Sequence, residues 1–244
     1  MLFSILSGGD IREIIIQLLL TIPIIMISLS VHEAAHGLVA KWMGDRTAYN
    51  LGRVTLNPIK HLDLVGSLCM LIIGYGWAKP VPINARNFRN PKWGMAMTGI
   101  AGPISNIILG TIGTVCAAVT VLLSNMYAEG IASSELLGNI IDVLITFLLN
   151  LGIMNFMLAA FNLIPVPPFD GSRFFSAFLP QKWYFAIMKY ERYTMIAVMA
   201  LTFLCSRFFN FSPFYFVAEL MLTAVYNTSM GIIAIIATLI TIVF

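Results

Sequence analysis

Long apolar runs dominate this chain and leave it few ways to fold. Five stretches of 22 to 32 residues carry few charges: Ile14–Ala40, Trp93–Leu123, Leu136–Ile164, Trp183–Leu204 and Pro213–Phe244. A helix needs roughly 20 apolar residues to cross the hydrocarbon of a bilayer, so each run is long enough. The chain is 59% hydrophobic and 10% charged, against about 45–50% and about 25% in soluble domains. One water-soluble core of 244 residues cannot hide that much apolar surface, and disorder requires the opposite composition. The fold class expected is an all-α polytopic membrane protein of about five to six transmembrane helices. It reads as a single integral-membrane domain over 1–244, with a motif-bearing core at about 11–180 and C-terminal helices at about 183–244.

The distribution of charge says more than its total. The net charge is only +3, so nucleic acid is not an expected partner. Eight basic residues lie between Lys41 and Lys92 and four more between Arg173 and Arg192, leaving only Arg12 and Arg207 elsewhere. Ser124–Asp142 holds Glu129, Glu135 and Asp142 but no Lys or Arg. The basic segments should therefore be cytoplasmic and the acidic one external. A sixth apolar run, Leu62–Gly76, has 15 residues. If it crossed the bilayer, Lys79–Lys92 would be translocated, so a re-entrant or interfacial element is expected there. Just before it, Gly52–Pro58 alternates β-branched residues and ends in Asn-Pro, the pattern of a short strand. Cys69, Cys116 and Cys205 all lie in apolar runs without a CxxC pair, and read as packing residues. Residues 1–10 lack a basic n-region, so no cleavable secretory signal is expected.

Polar groups inside a span are costly and mark function. The first span contains Val31-His32-Glu33-Ala34-Ala35-His36, an HExxH pattern. Residues at i and i+4 share a helix face, so both imidazoles can reach one metal ion. Glu33 stands beside the first imidazole, where a carboxylate can take a proton from metal-activated water. A satisfied polar packing cluster is the alternative. A catalytic zinc usually takes three protein ligands, and the outstanding third candidate is Asp170 in Phe161-Asn162-Leu163-Ile164-Pro165-Val166-Pro167-Pro168-Phe169-Asp170-Gly171. Three prolines in four positions cannot continue a helix, so Asp170 should sit on irregular backbone. Read in isolation, it is also an ordinary Asp-Gly turn. The topology favours convergence, because the first and fourth segments both run inward and bring the two motifs to a similar depth. Asn106, in Ala101-Gly102-Pro103-Ile104-Ser105-Asn106, either packs helices or orients a ligand. His61 reads as a structural or interfacial histidine, with substrate gating or support of the metal ligands as the alternative.

HEAAH in a membrane helix, followed by NLIPVPPFDG, resembles the site-2 proteases, the intramembrane zinc metalloproteases. GRVTLNPIKHLDLVGS, GWAKPVPINARNFRNP and AGPISN are similar to a compact, mostly prokaryotic branch without a PDZ or CBS domain. The resemblance covers roughly residues 20–192. It implies one zinc ion held by His32, His36 and Asp170, with Glu33 as general base. It also places Asn162 where the family contacts substrate or the oxyanion; a helix-end cap is the alternative. The implied activity is regulated cleavage in or near the transmembrane helices of membrane-protein substrates, in the cell membrane of a prokaryote, with the site near the cytoplasmic side. A short strand at Gly52–Asn57 would pair with an unwound substrate. The partners are then transmembrane proteins and the lipid bilayer, and homo-oligomerisation stays open. Two other readings compete: a transporter or metal-ion permease, and a catalytically silent protein that captures membrane helices.

Overall fold

The computed structural model describes residues 11–73, 78–127, 134–180 and 190–243. Among them the regular elements are all helical. They are α1 (Ile11–Met43), α2 (Thr47–Asn50), α3 (Leu64–Ile73), α4 (Pro91–Met126), α5 (Glu135–Asn162), α6 (Asp170–Ser176), α7 (Glu191–Phe209) and α8 (Pro213–Val243). Single 3-10 turns occupy Pro58–Lys60 and Ala85–Asn87. The all-α architecture is the one expected from the apolar runs.

Local signals set the long helices. Asn90 caps α4 by accepting from the Trp93 N–H, and Pro91 opens the helix where a missing N–H costs nothing. Ser134 caps α5 by accepting from the Leu137 N–H. The left-handed Asn210, with φ of 49°, closes α7, and Pro213 opens α8. α1, α4 and α5 are each long and apolar enough to cross a membrane; Tyr193–Phe209 of α7 and Pro213–Ile232 of α8 meet that condition together, across an 80° bend. The described residues therefore support three to four crossings, where the apolar runs suggested five to six. Residues 181–189, which begin the expected Trp183–Leu204 span, lie outside the described residues, as does Glu129 of the acidic segment.

α4 is the centre of the bundle. It packs most extensively on α5 and α1, and also on α6 and α8. Its buried positions are mostly small, among them Ala96, Ala101, Gly102, Gly110, Ala117 and Ala118. In lipid no hydrophobic force drives helices together, so close backbone approach and interhelical hydrogen bonds must do so. Asn155 Nδ2 of α5 donates to Ser28 Oγ of α1 across a fully buried contact of 2.8 Å. Leu19, Ile27, Ile108, Ile112, Ile140 and Val143 face outward and exposed, which suits a lipid surface.

The segment between α1 and α4 is irregular and tightly fastened. Buried Asp45 accepts from the Thr47 N–H and hydroxyl, the Asn84 N–H and the Asn87 amide. Arg53 donates to the Lys79 carbonyl at 2.8 Å, and the Lys79 N–H donates to the His61 carbonyl at 2.8 Å. The expected strand at Gly52–Pro58 does not form: the stretch is turn and bend, with Gly52 at φ of 63°. A strand needs a ladder partner, and the pairing nearby is a lone bridge between Leu62 and Ala78. α3 has 10 residues, about 15 Å of helix, half the roughly 30 Å of a hydrocarbon core. Residues 74–76, the end of the Leu62–Gly76 run, are outside the described residues.

Candidate metal centre and active site

The two histidines of α1 and the first residue of α6 meet under α4. His32 Nε2 and His36 Nε2 lie 3.0 Å apart, and each is 3.1 Å from Asp170 Oδ2. All three residues are buried. The prolines at 165, 167 and 168 end α5 and let the chain turn back, but Asp170 does not sit on the irregular backbone expected: it is the first residue of a new short helix, with Phe169 at its N-cap.

The far side of each imidazole is fixed. His36 Nδ1 donates to the Thr98 carbonyl at 2.7 Å. A carbonyl can only accept, so Nδ1 carries the proton and the neutral ring presents a bare lone pair at Nε2. His32 Nδ1 lies 3.1 Å from Asn106 Oδ1 and donates to it in the same way. Two lone pairs and a carboxylate oxygen thus converge, with their ligand atoms all within 4.8 Å of one another. Three acceptors crowded together repel unless a cation lies between them. Their spacing is close to the roughly 3.3 Å edge of a tetrahedral site with bonds of about 2.0–2.1 Å. Gly102 leaves the room for it: a Cβ there would lie 2.5 Å from both His32 Cε1 and His36 Nε2. The donor set and the space both fit a zinc ion.

Glu33 reaches from α1 to the irregular segment. Its Oε2 accepts from the Val81 N–H at 2.8 Å. Pro80 and Pro82 flank Val81, so within this triplet Val81 has the sole backbone donor, and Glu33 takes it. His32, Glu33, His36 and Asp170 all line a cavity of about 540 Å³. Ala78, Pro80 and Val81 form one wall; Met154, Met157, Leu158, Phe161, Met195 and Phe214 form an apolar one.

A sequence profile of peptidase family M50 matches residues 20–206, a range that contains every residue of this centre. The chain belongs to peptidase family M50. The resemblance to the site-2 proteases thereby holds, and the intramembrane metalloprotease function expected from it with it. YwhC of Bacillus subtilis (strain 168), provisionally named a zinc metalloprotease, is 37% identical over 177 residues, covering 72% of this chain and 77% of its own. The zinc metalloprotease MJ0392 of Methanocaldococcus jannaschii is 26% identical over 160 residues, 66% of this chain but 34% of its own length. No solved structure gives a significant match.

The remaining expected site residues fall in different places. Asn106 hydrogen-bonds a candidate ligand, the orienting alternative of the two open for it. Asn162 lines the cavity, and its amide nitrogen donates to the Leu158 carbonyl at 2.9 Å, one turn back on its own helix. His61 is fully buried in the fastened segment, with Nε2 donating to the Thr55 carbonyl at 2.8 Å. The sequence reading missed Thr98, Val81 and Arg173. The first two act through backbone atoms and leave no side-chain signal. Arg173 stands three residues after Asp170, one helical turn on, and that spacing could have exposed it.

Proposed function

We propose that this M50 protein is a zinc endopeptidase that hydrolyses peptide bonds in or near the transmembrane helices of membrane proteins. The observation that carries the reading is the convergence of His32 Nε2, His36 Nε2 and Asp170 Oδ2, with each imidazole tied at its other nitrogen. In this reading His32, His36 and Asp170 hold one zinc per chain. When bound, zinc supplies a Lewis acid that acidifies water and polarises a carbonyl.

The protein's own groups do the rest. Val81 fixes one oxygen of Glu33 and leaves the other free to move a proton. Glu33 takes the proton of the attacking water and hands it to the departing amine. Asn106 and Thr98 hold the imidazoles in the tautomer that presents Nε2. Asn162 has a second amide hydrogen and its oxygen with which to touch an extended substrate. A substrate helix hides its amides in its own hydrogen bonds. Local unwinding must therefore precede attack, and the Met- and Phe-lined wall suits an apolar segment. The orientation proposed puts the basic segments, and the centre beside them, toward the cytoplasm of a prokaryotic cell.

The test is zinc content and cleavage of a model transmembrane substrate by detergent-purified protein. About one zinc per wild-type chain with cleavage is expected, and Glu33→Gln should keep the zinc while activity falls about 10²–10⁴-fold. A well-folded wild type that takes up no zinc on resupply, or brisk turnover by Glu33→Gln, would overturn the assignment.

A further inference from the structure

Arg173 is the one Lys or Arg among the described residues that line the cavity. Its stem is seated on α4 at Gly99, where a Cβ would stand 2.8 Å from Arg173 Cβ and 3.4 Å from its Cδ. Its Nη1 is 3.7 Å from Asp170 Oδ1, the oxygen turned away from the imidazoles. That distance makes an ion pair but not a hydrogen bond. The side chain is 36% accessible, opening on the cavity. A guanidinium has five N–H donors in a planar fork. Here it faces a mostly apolar cavity with one long contact to a carboxylate.

The geometry points to an anion-binding role, and we propose that Arg173 receives the oxyanion formed from the scissile carbonyl. This rests on the protease reading above. Water adds to the carbonyl carbon, its proton passes to Glu33, and the carbonyl π pair moves to oxygen, where the Arg173 N–H groups meet it. When the pair returns, the C–N bond breaks and Glu33 delivers the proton to nitrogen, leaving an amine and a carboxylic acid, which gives up its remaining proton to water. Donors placed where charge develops act without reorganising, which is why they lower barriers more than they tighten substrate binding. Asn162, with its amide nitrogen tethered to Leu158, is left as a contact to the substrate backbone.

Full-length, zinc-loaded Arg173→Gln and Arg173→Lys proteins test this beside wild type. Zinc per chain, kcat and KM are measured on a model transmembrane substrate, together with the affinity of a phosphinic peptide of the same sequence as a tetrahedral anionic probe. Arg173→Gln should keep its zinc, lose about 10²–10³-fold in kcat with KM nearly unchanged, and bind the phosphinic peptide at least tenfold more weakly. Arg173→Lys should fall between the two, and decides the matter alone if the Gln variant does not fold. Zinc lost in step with activity would reduce Arg173 to a support for Asp170. Unchanged phosphinate affinity would remove the anion contact altogether. A wild type that neither binds zinc nor cleaves would instead sink the protease reading on which the proposal stands.

Discussion

Asp45 and Asp170 are both buried carboxylates, with 0% and 8% of their surfaces exposed, and their surroundings differ. Asp45 is met by N–H and O–H donors from Thr47, Asn84 and Asn87. Asp170 meets two imidazole Nε2 atoms and a guanidinium at 3.7 Å. A buried charge is tolerated only when paired or coordinated. The protein satisfies Asp45 from its own backbone and amides, which is how a structural carboxylate is held. Asp170 is arranged with two other acceptors, which suits a cation brought from outside. The same residue type thus fastens a loop in one place and completes a proposed metal site in the other.

The largest test of that contrast is Asp170→Ala. It should abolish both zinc retention and cleavage, while the metal-free protein is as stable as metal-free wild type or more so. Zinc analysis and thermal unfolding in detergent would show this; zinc kept by Asp170→Ala would break the comparison. Next comes Asn106→Ala, which frees His32 Nδ1 and should weaken zinc affinity by about 10–100-fold, measured by chelator competition. Asp45→Ala should do the reverse of Asp170→Ala. It leaves the Thr47, Asn84 and Asn87 donors without their acceptor and should cost about 1–3 kcal/mol of stability, with zinc still bound. The smallest effect is a pH dependence. Burial alone would raise the Asp45 carboxyl, but the Thr47 hydroxyl, the Asn84 N–H and the Asn87 amide outweigh it and hold it below the usual carboxylate range. Its stabilising contribution is therefore complete above the ordinary carboxylate pKa of about 3.9 and fades as pH falls through the lower folded value. Unfolding curves of wild type and Asp45→Asn should converge in that acid range and separate above it.

Some of this was legible along the chain, for reasons particular residues make plain. His32 and His36 are four apart on one helix, so their meeting follows from helical geometry alone. Asp170 was legible because three prolines must break α5 just before it. Asn106 offered two roles at the sequence level, and only the packing of α4 against α1 placed it on His32. The strand expected at Gly52–Pro58 failed because alternation is a local property and a ladder is not. Asp45 gave no signal, since its donors lie up to 42 residues away.

The sequence by itself determined that the chain is a membrane-embedded helical protein and that two histidines and a glutamate share one helix end. Apolar length and residue spacing are local quantities, and the surrounding lipid leaves them little to compete with. The tertiary structure decided what each polar atom faces. Gly102 lets α4 close over the imidazoles, the Thr98 carbonyl sets a tautomer, the Val81 amide holds Glu33, and Gly99 seats Arg173 beside Asp170. Those contacts depend on backbone atoms and on glycines brought together from distant parts of the chain, and the sequence does not say which neighbour each will meet.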